Sequence, residues 1–202
     1  DVYLSADRQV VVIHDHNLSR TTNGSGSVGE QTLAELRRLD AGNGQRIPTL
    51  EEALALIGDQ VTLNIELKGI SRTAADLPKA VVDLVRSHGL GKTILFSSFH
   101  PRLLFRARQL MPEARIGLLT PPGILGGVVK TIIAPLLQPA SLHPHFSAVT
   151  PGYLKQAKNH GRLVLAYTVN QPGDMRRLFA MGISGIFTDD PLTAQKIRKE
   201  LK

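Results

Sequence analysis

The chain contains no cysteine, which excludes disulfides, thiolate metal sites and cysteine nucleophiles and leaves the compartment open. Aromatic residues are scarce, at 4%, too few for a base-stacking platform. Long Lys/Arg runs are absent too, although 24 Lys+Arg against 17 Asp+Glu give a formal charge of +7. A positive charge spread over many segments argues against nucleic acid and suits an anionic small substrate or an anionic membrane surface. No glycine-rich GxGxxG turn is present to cradle a dinucleotide. The stretch TPPGILGGVVKTIIAPLLQPASLHPH is too short and, with Lys130 inside it, too interrupted to span a membrane. No leader with a basic head and an apolar core opens the chain. It starts at Asp1 directly in strand-like sequence, as expected of a fragment or a processed product. The 202 residues, 42% apolar and 20% charged, suffice for one globular domain with its own core.

The pattern of apolar residues organises the chain. Asp1–Ser5, then ADRQ, then Val10–Ile13 read as a hairpin. NLSRTTNGSGSVG is a polar loop and TLAELRRL a short helix. In RIPTLEEALALIG, Thr49 is the expected N-cap, Glu51 and Glu52 fill the first turn, and Gly58 is the stop. A rhythm of strand and helix follows. Strands are expected at Val61–Leu67, Thr93–Ser98, Arg115–Leu119, FSAVT, LVLAYTVN and SGIFTD. Helices are expected around Thr73–Ser87 and Pro101–Leu110, over PGYLKQAKNHG and PGDMRRLFAMG, and from Pro191. Such alternation predicts an α/β fold with a parallel sheet, a (β/α)8 TIM barrel rather than a doubly wound sheet. With the opening hairpin strand the count is seven, so the chain reads as a barrel lacking its first βα unit. The segment of about 120–143 stands out as a small insertion, either a capping loop with a short helix or an apolar lid touching membrane.

The strand VTLNIELKG carries the clearest chemistry. Val61, Leu63, Ile65 and Leu67 alternate strictly with Thr62, Asn64, Glu66 and Lys68. In an antiparallel sheet the polar face would meet solvent and Glu66 and Lys68 would form an exposed pair. In a parallel barrel helices cover the outer face, so these two point to the axis, at the strand's C-terminal end where barrel active sites lie. A carboxylate suits a hard divalent cation and an ammonium suits a phosphate oxygen. His14 directly follows the apolar run Val10–Ile13, and an imidazole is suited to proton transfer near neutrality. His16 reads as loop decoration. His88, His100, His143, His145 and His160 read mostly as surface residues, with His143 and His145, around Pro144, the least settled.

DVYLSADRQVVVIHDHNLSRTTNGSG, RIPTLEEAL, NIELKG, YTVN and GISGIFTDDP, in this order and spacing over essentially the whole chain, resemble the glycerophosphodiester phosphodiesterase family. The resemblance implies a single domain over 1–202 that hydrolyses glycerophosphodiesters to glycerol 3-phosphate and an alcohol. It implies a divalent cation, Ca²⁺ or Mg²⁺, held by carboxylates among which Asp1 and Glu66 fall. By the same resemblance Lys68 meets the phosphate and His14 is one of two acid–base histidines. Asp15 supports the His14 loop, and Tyr167 stands on the pocket wall where the family more often has Trp. The family's His-Arg-Gly motif and the Glu two residues before Asp1 would precede the chain, so the 202 residues alone are expected to be inactive. Two other functions stay open: a lysophospholipase D contacting membrane through Pro121–Pro139, and an inactive barrel binding phospholipid or polyol phosphate. A cytoplasmic location is the expectation, with any signal lying upstream of Asp1.

Overall fold

Strand β1 (Val2–Leu4) turns back on β2 (Val10–Val12) in antiparallel register, Val2 opposite Val12 and Leu4 opposite Val10. The turn between them places Arg8 at φ 65° and is tied by Gln9 N–H donating to Ser5 Oγ at 2.8 Å. These contacts come from a computed structural model that describes residues 1–69 and 74–201. The start of the helix expected around Thr73–Ser87 therefore lies outside the described residues, and α3 runs over Leu77–Ser87. The chain forms two compact units, Asp1–Ile116 and Gly117–Lys202.

In the first unit the loop after β2 is pinned from below. Leu18, Val28, Leu36 and Ile47 bury against Tyr3, Val11 and Ile13 in one apolar cluster. A fully buried Leu or Ile contributes roughly 1.5–3 kcal/mol, so this cluster holds a long polar loop in one conformation. Helices α1 (Leu33–Leu36) and α2 (Leu50–Ile57) both start in capping boxes, Thr32 with Glu35 and Thr49 with Glu52. Each box satisfies otherwise orphaned backbone N–H groups. Gly58, at φ 59°, ends α2 as expected, in a conformation that a side chain would strain. Strand β3 (Leu63–Glu66) lies parallel to β4 (Ile94–Ser98), with Glu66 opposite Ser97. Val2 forms a parallel bridge with Leu67, which sets Asp1 level with Glu66. Helix α4 (Pro101–Leu110) follows β4 with proline in its first turn.

In the second unit, β5 (Arg115–Thr120, beginning just before the division), β6 (Ser141–Pro144), β7 (Leu163–Ala166) and β8 (Gly185–Ile186) run parallel in sequence order. Each step needs a crossover, because parallel neighbours cannot be joined by a tight turn. Helices α7 (Pro151–Asn159) and α8 (Pro172–Ala180) supply two of them, and α9 (Pro191–Glu200) closes the chain. The remaining crossover falls within the segment 120–143. There α5 (Ile124–Val128), a π-helical turn (Val129–Ile133) and α6 (Ala134–Leu137) make one helical run, and β6 begins four residues later.

Two sequence expectations change here. FSAVT is not a strand: Phe146–Ala148 is a 3₁₀ turn, and the strand is Ser141–Pro144. Pro139 and Pro144 hid it, because prolines read as loop punctuation. Pro144 ends the strand, where its missing N–H costs nothing and its carbonyl still accepts from Tyr167 N–H at 3.0 Å. His143 is not a surface residue but 0% exposed. Its ring packs on Phe187, its Nε2 lies 2.8 Å from Ser141 Oγ, and Gly117 leaves the space it occupies. A Cβ on Gly117 would come within 2.4 Å of the imidazole.

Burial pushes the His143 pKa down to about 4. The folded state thus prefers neutral His143, and its contribution is complete above the unfolded pKa near 6.5 and lost as pH falls toward 4. At about 1.4 kcal/mol per pKa unit, the protein should lose roughly 2 kcal/mol between pH 7 and pH 5 through this group. Urea unfolding at the two pH values checks this. In His143→Leu the loss should shrink by that amount; an unchanged loss would assign it to other groups.

Candidate active site

The polar face of β3 does not meet open solvent. Ile65 and Leu67 are buried at 2% and 1%, while the side chains of Glu66 and Lys68 are each 15% exposed. Lys68 Nζ stands 2.8 Å from Glu66 Oε1 and 3.4 Å from Asp1 Oδ1. Two carboxylates from neighbouring strands therefore converge on one ammonium. Glu66 Oε1 is shielded from solvent and, despite the 2.8 Å approach, makes no hydrogen bond of good geometry. Its lone pairs are available to a further cation. Asp1 and Glu66 together are hard oxygen donors of the kind Ca²⁺ and Mg²⁺ take, so the residues present fit such an ion. No group of three potential metal ligands occurs among the described residues.

His14 enters from the loop after β2. Its Nδ1 lies 2.5 Å from Asp15 Oδ1, and its Nε2 lies 3.9 Å from Asp1 Oδ2. Arg20 grips Asp15 through both Nε and NH2. The local sequence explains this grip. Asn17 caps a 3₁₀ turn (Leu18–Arg20), accepting from Ser19 N–H at 3.0 Å, while buried Leu18 anchors the turn. Arg20 is thereby folded back over Asp15. The Arg20 guanidinium, with His14, holds the Asp15 carboxyl well below the usual carboxylate range. An ionised Asp15 favours a proton on Nδ1, a nitrogen that Arg20 NH2 also approaches at 3.2 Å, and Nε2 faces the site. Tyr3 lies alongside; burial, with the charges of Asp15 and Glu66, pushes its phenol up to about 12, so it remains a neutral donor.

A cavity of about 410 Å³ opens here, lined among others by Tyr3, His14, Glu66, Lys68, Phe99 and His100. His100 reaches it because Ser98 Oγ donates to Leu67 O at 2.6 Å and accepts from His100 N–H at 3.0 Å. Gly69 completes the fit: a Cβ there would lie 2.3 Å from the imidazole. Asp1, His14, Asp15, Glu66 and Lys68 thus come together in the first unit. Tyr167 lies in the second unit, just after β7, its hydroxyl donating to Thr120 O at 3.0 Å. His100, Phe99, Tyr3 and Arg20 were not singled out from the sequence. For Arg20 the signal was present in Asn17-Leu18-Ser19-Arg20, a capped turn with an apolar anchor. His100 shows only through the pairing of β3 with β4.

Parallel strands with helical crossovers, presenting acid, lysine and histidine at strand ends, are the architecture of α/β barrel enzymes. The chain belongs to the glycerophosphoryl diester phosphodiesterase family, whose profile matches residues 1–193. A glycerophosphodiester phosphodiesterase of Caldanaerobacter subterraneus is 35% identical over 201 residues, covering 96% of this chain and 82% of that protein. One from Bacillus subtilis is 29% identical, covering 98% and 75%. Among solved structures, an Oleispira antarctica phosphodiesterase in complex with the product sn-glycerol-3-phosphate superposes with a TM-score of 0.87 at 33% identity, covering 98% of this chain and 83% of that one. A glycerophosphodiester phosphodiesterase from Parabacteroides distasonis gives 0.86 at 28% identity, covering 99% and 82%. The fold is that family's (β/α)8 type, and the chain is a glycerophosphodiester phosphodiesterase. No helix among the described residues is long and apolar enough to cross a membrane.

Proposed function

We propose that this enzyme hydrolyses glycerophosphodiesters to glycerol 3-phosphate and an alcohol with a divalent cation and histidine acid–base catalysis. The observation that carries the reading is the convergence of Asp1 and Glu66 on Lys68 beside His14. Asp1 and Glu66 would hold Ca²⁺ or Mg²⁺, whose chemistry is to neutralise charge on the phosphate oxygens. Lys68 adds a point charge to the same oxygens as negative charge builds on them. His14, through Nε2, transfers a proton at either the attacking or the leaving oxygen, with Asp15 and Arg20 holding its tautomer and direction. The attacking oxygen comes from water or from the neighbouring glycerol hydroxyl; in the second case a cyclic phosphate forms and is then opened by water. Either way one water is consumed, the alcohol leaves with a proton, and glycerol 3-phosphate remains. Tyr167 is proposed for substrate binding on the family resemblance alone; within its own unit its hydroxyl donates to Thr120 O at 3.0 Å.

A second reading has one observation in its favour. Ile124, Leu125, Ile132 and Leu136 of the α5–α6 run are 87%, 71%, 57% and 68% exposed. Such a stripe could rest on lipid and admit lysophospholipids. One assay separates the two: release of phosphate monoester by the full-length protein from glycerophosphocholine and from lysophosphatidylcholine, with Ca²⁺ or Mg²⁺ and with chelator. Cation-dependent turnover favouring glycerophosphocholine is expected. Preference for the lysolipid would establish the second reading, and turnover insensitive to chelator would remove the cation.

A further inference from the structure

The active-site cavity does not end at His100. A second cavity of about 670 Å³ adjoins it, and the two share Gly69 and His100. Its other lining residues come from Ala75 and from α4: Pro101, Arg102, Leu103 and Arg106. Arg102 and Arg106 sit one turn apart and exposed on α4, while Leu104 and Ala107 are fully buried. Among the described residues, no carboxylate lines the cavity. The acids of the neighbouring helix region are engaged elsewhere, Asp76 with Arg8 and Asp83 with Lys79. Arg106 reaches only Gln109 Oε1, at 3.4 Å, and among the described residues neither arginine is in a salt bridge.

Two unneutralised guanidiniums one turn apart make a receptor for a tetrahedral oxyanion, since each can offer a forked pair of N–H donors. The cavity's size is that of a site for a sizeable ligand. Glycerol, the arm common to this family's diesters, is small and neutral and needs neither the volume nor the charge. The variable alcohol arm is the part that can use both.

We infer that the preferred substrates carry a second phosphate on the alcohol arm, seated against Arg102 and Arg106 with His100 at the passage from the scissile phosphate. This rests on the hydrolase reading proposed above and adds the substrate class to it. A choline arm, being cationic, meets the wrong sign of charge there.

The test compares bis(glycerophospho)glycerol with glycerophosphocholine, following glycerol 3-phosphate release by the full-length protein. The expected kcat/KM ratio is at least about tenfold in favour of the doubly anionic diester, in line with the ~2 kcal/mol of a charge-assisted contact. In R102Q/R106Q the ratio should fall about tenfold. Both positions are exposed, so folding is kept, and a thermal melt verifies it. R108Q, which removes a half-buried charge with a partner of its own from α4 outside the cavity lining, should leave the ratio within about twofold of the parent, the same thermal melt verifying its fold. A wild-type ratio near one, a ratio unmoved in R102Q/R106Q, or an equal fall in R108Q would each overturn the inference while leaving the hydrolase reading intact. No turnover of either diester would overturn that reading, and this one with it.

Discussion

Glu66→Gln should cut glycerophosphodiester turnover by about two to four orders of magnitude while leaving the fold intact. Hard cations take carboxylate oxygens and bind neutral amides far less well, and loss of an electrostatic stabiliser of this kind commonly costs on the order of 10²–10³ in kcat by itself. The substitution keeps the shape of the side chain on β3. It changes the charge where two carboxylates now balance Lys68, so Lys68 turns to Asp1, 3.4 Å away. Two measurements are diagnostic together. Calorimetric titration with Ca²⁺ or Mg²⁺ should show at least about tenfold weaker binding, the scale on which loss of an ion's ligand or its support is felt. Raising the cation concentration should recover part of the lost rate. A variant that binds cation normally and is still slow would move Glu66 from ligand to general base.

His14→Ala should lower kcat by roughly 10²–10⁴-fold, the range ascribed to a positioned proton-transfer group. Its cation affinity should stay close to the parent's, since Nε2 is 3.9 Å from Asp1 and is not itself a proposed ligand. The two variants therefore fail differently, one in cation binding and the other in proton transfer. The pH profile separates them further. The limb carried by His14 should vanish in His14→Ala and persist in Glu66→Gln. Normal turnover in His14→Ala would transfer the acid–base role to another group facing the cavity, with His100 the first to examine.

The alternation in VTLNIELKG sufficed to put Glu66 and Lys68 on one face, because strand period is a local property; turning that face away from water took the strand–helix rhythm of the rest of the chain. Thr49 and Gly58 were legible for the same reason, since caps act within one turn. β6 was not, because Ser141–Pro144 is short and bounded by prolines, and its burial comes from pairing with β5 and β7. His143 was misread along with it: nothing local distinguishes a buried imidazole from an exposed one. His100 is invisible for a related reason. Only the register of β3 with β4 and the missing side chain at Gly69 bring it beside Lys68. Asp1 meets Glu66 through the Val2–Leu67 bridge, a contact between segments more than sixty residues apart that no period can encode.

The central claim is that Asp1 and Glu66 hold a cation against a phosphate that Lys68 also contacts. Crystals of the full-length protein grown with Mn²⁺ and sn-glycerol 3-phosphate test it without any rate measurement. The anomalous difference map should carry one strong peak between the carboxylates of Asp1 and Glu66, at the ~2.0–2.6 Å expected of oxygen ligands to such a cation, with the phosphate bridging it to Lys68 Nζ. A peak away from both carboxylates, or a phosphate bound without Lys68, would contradict the account.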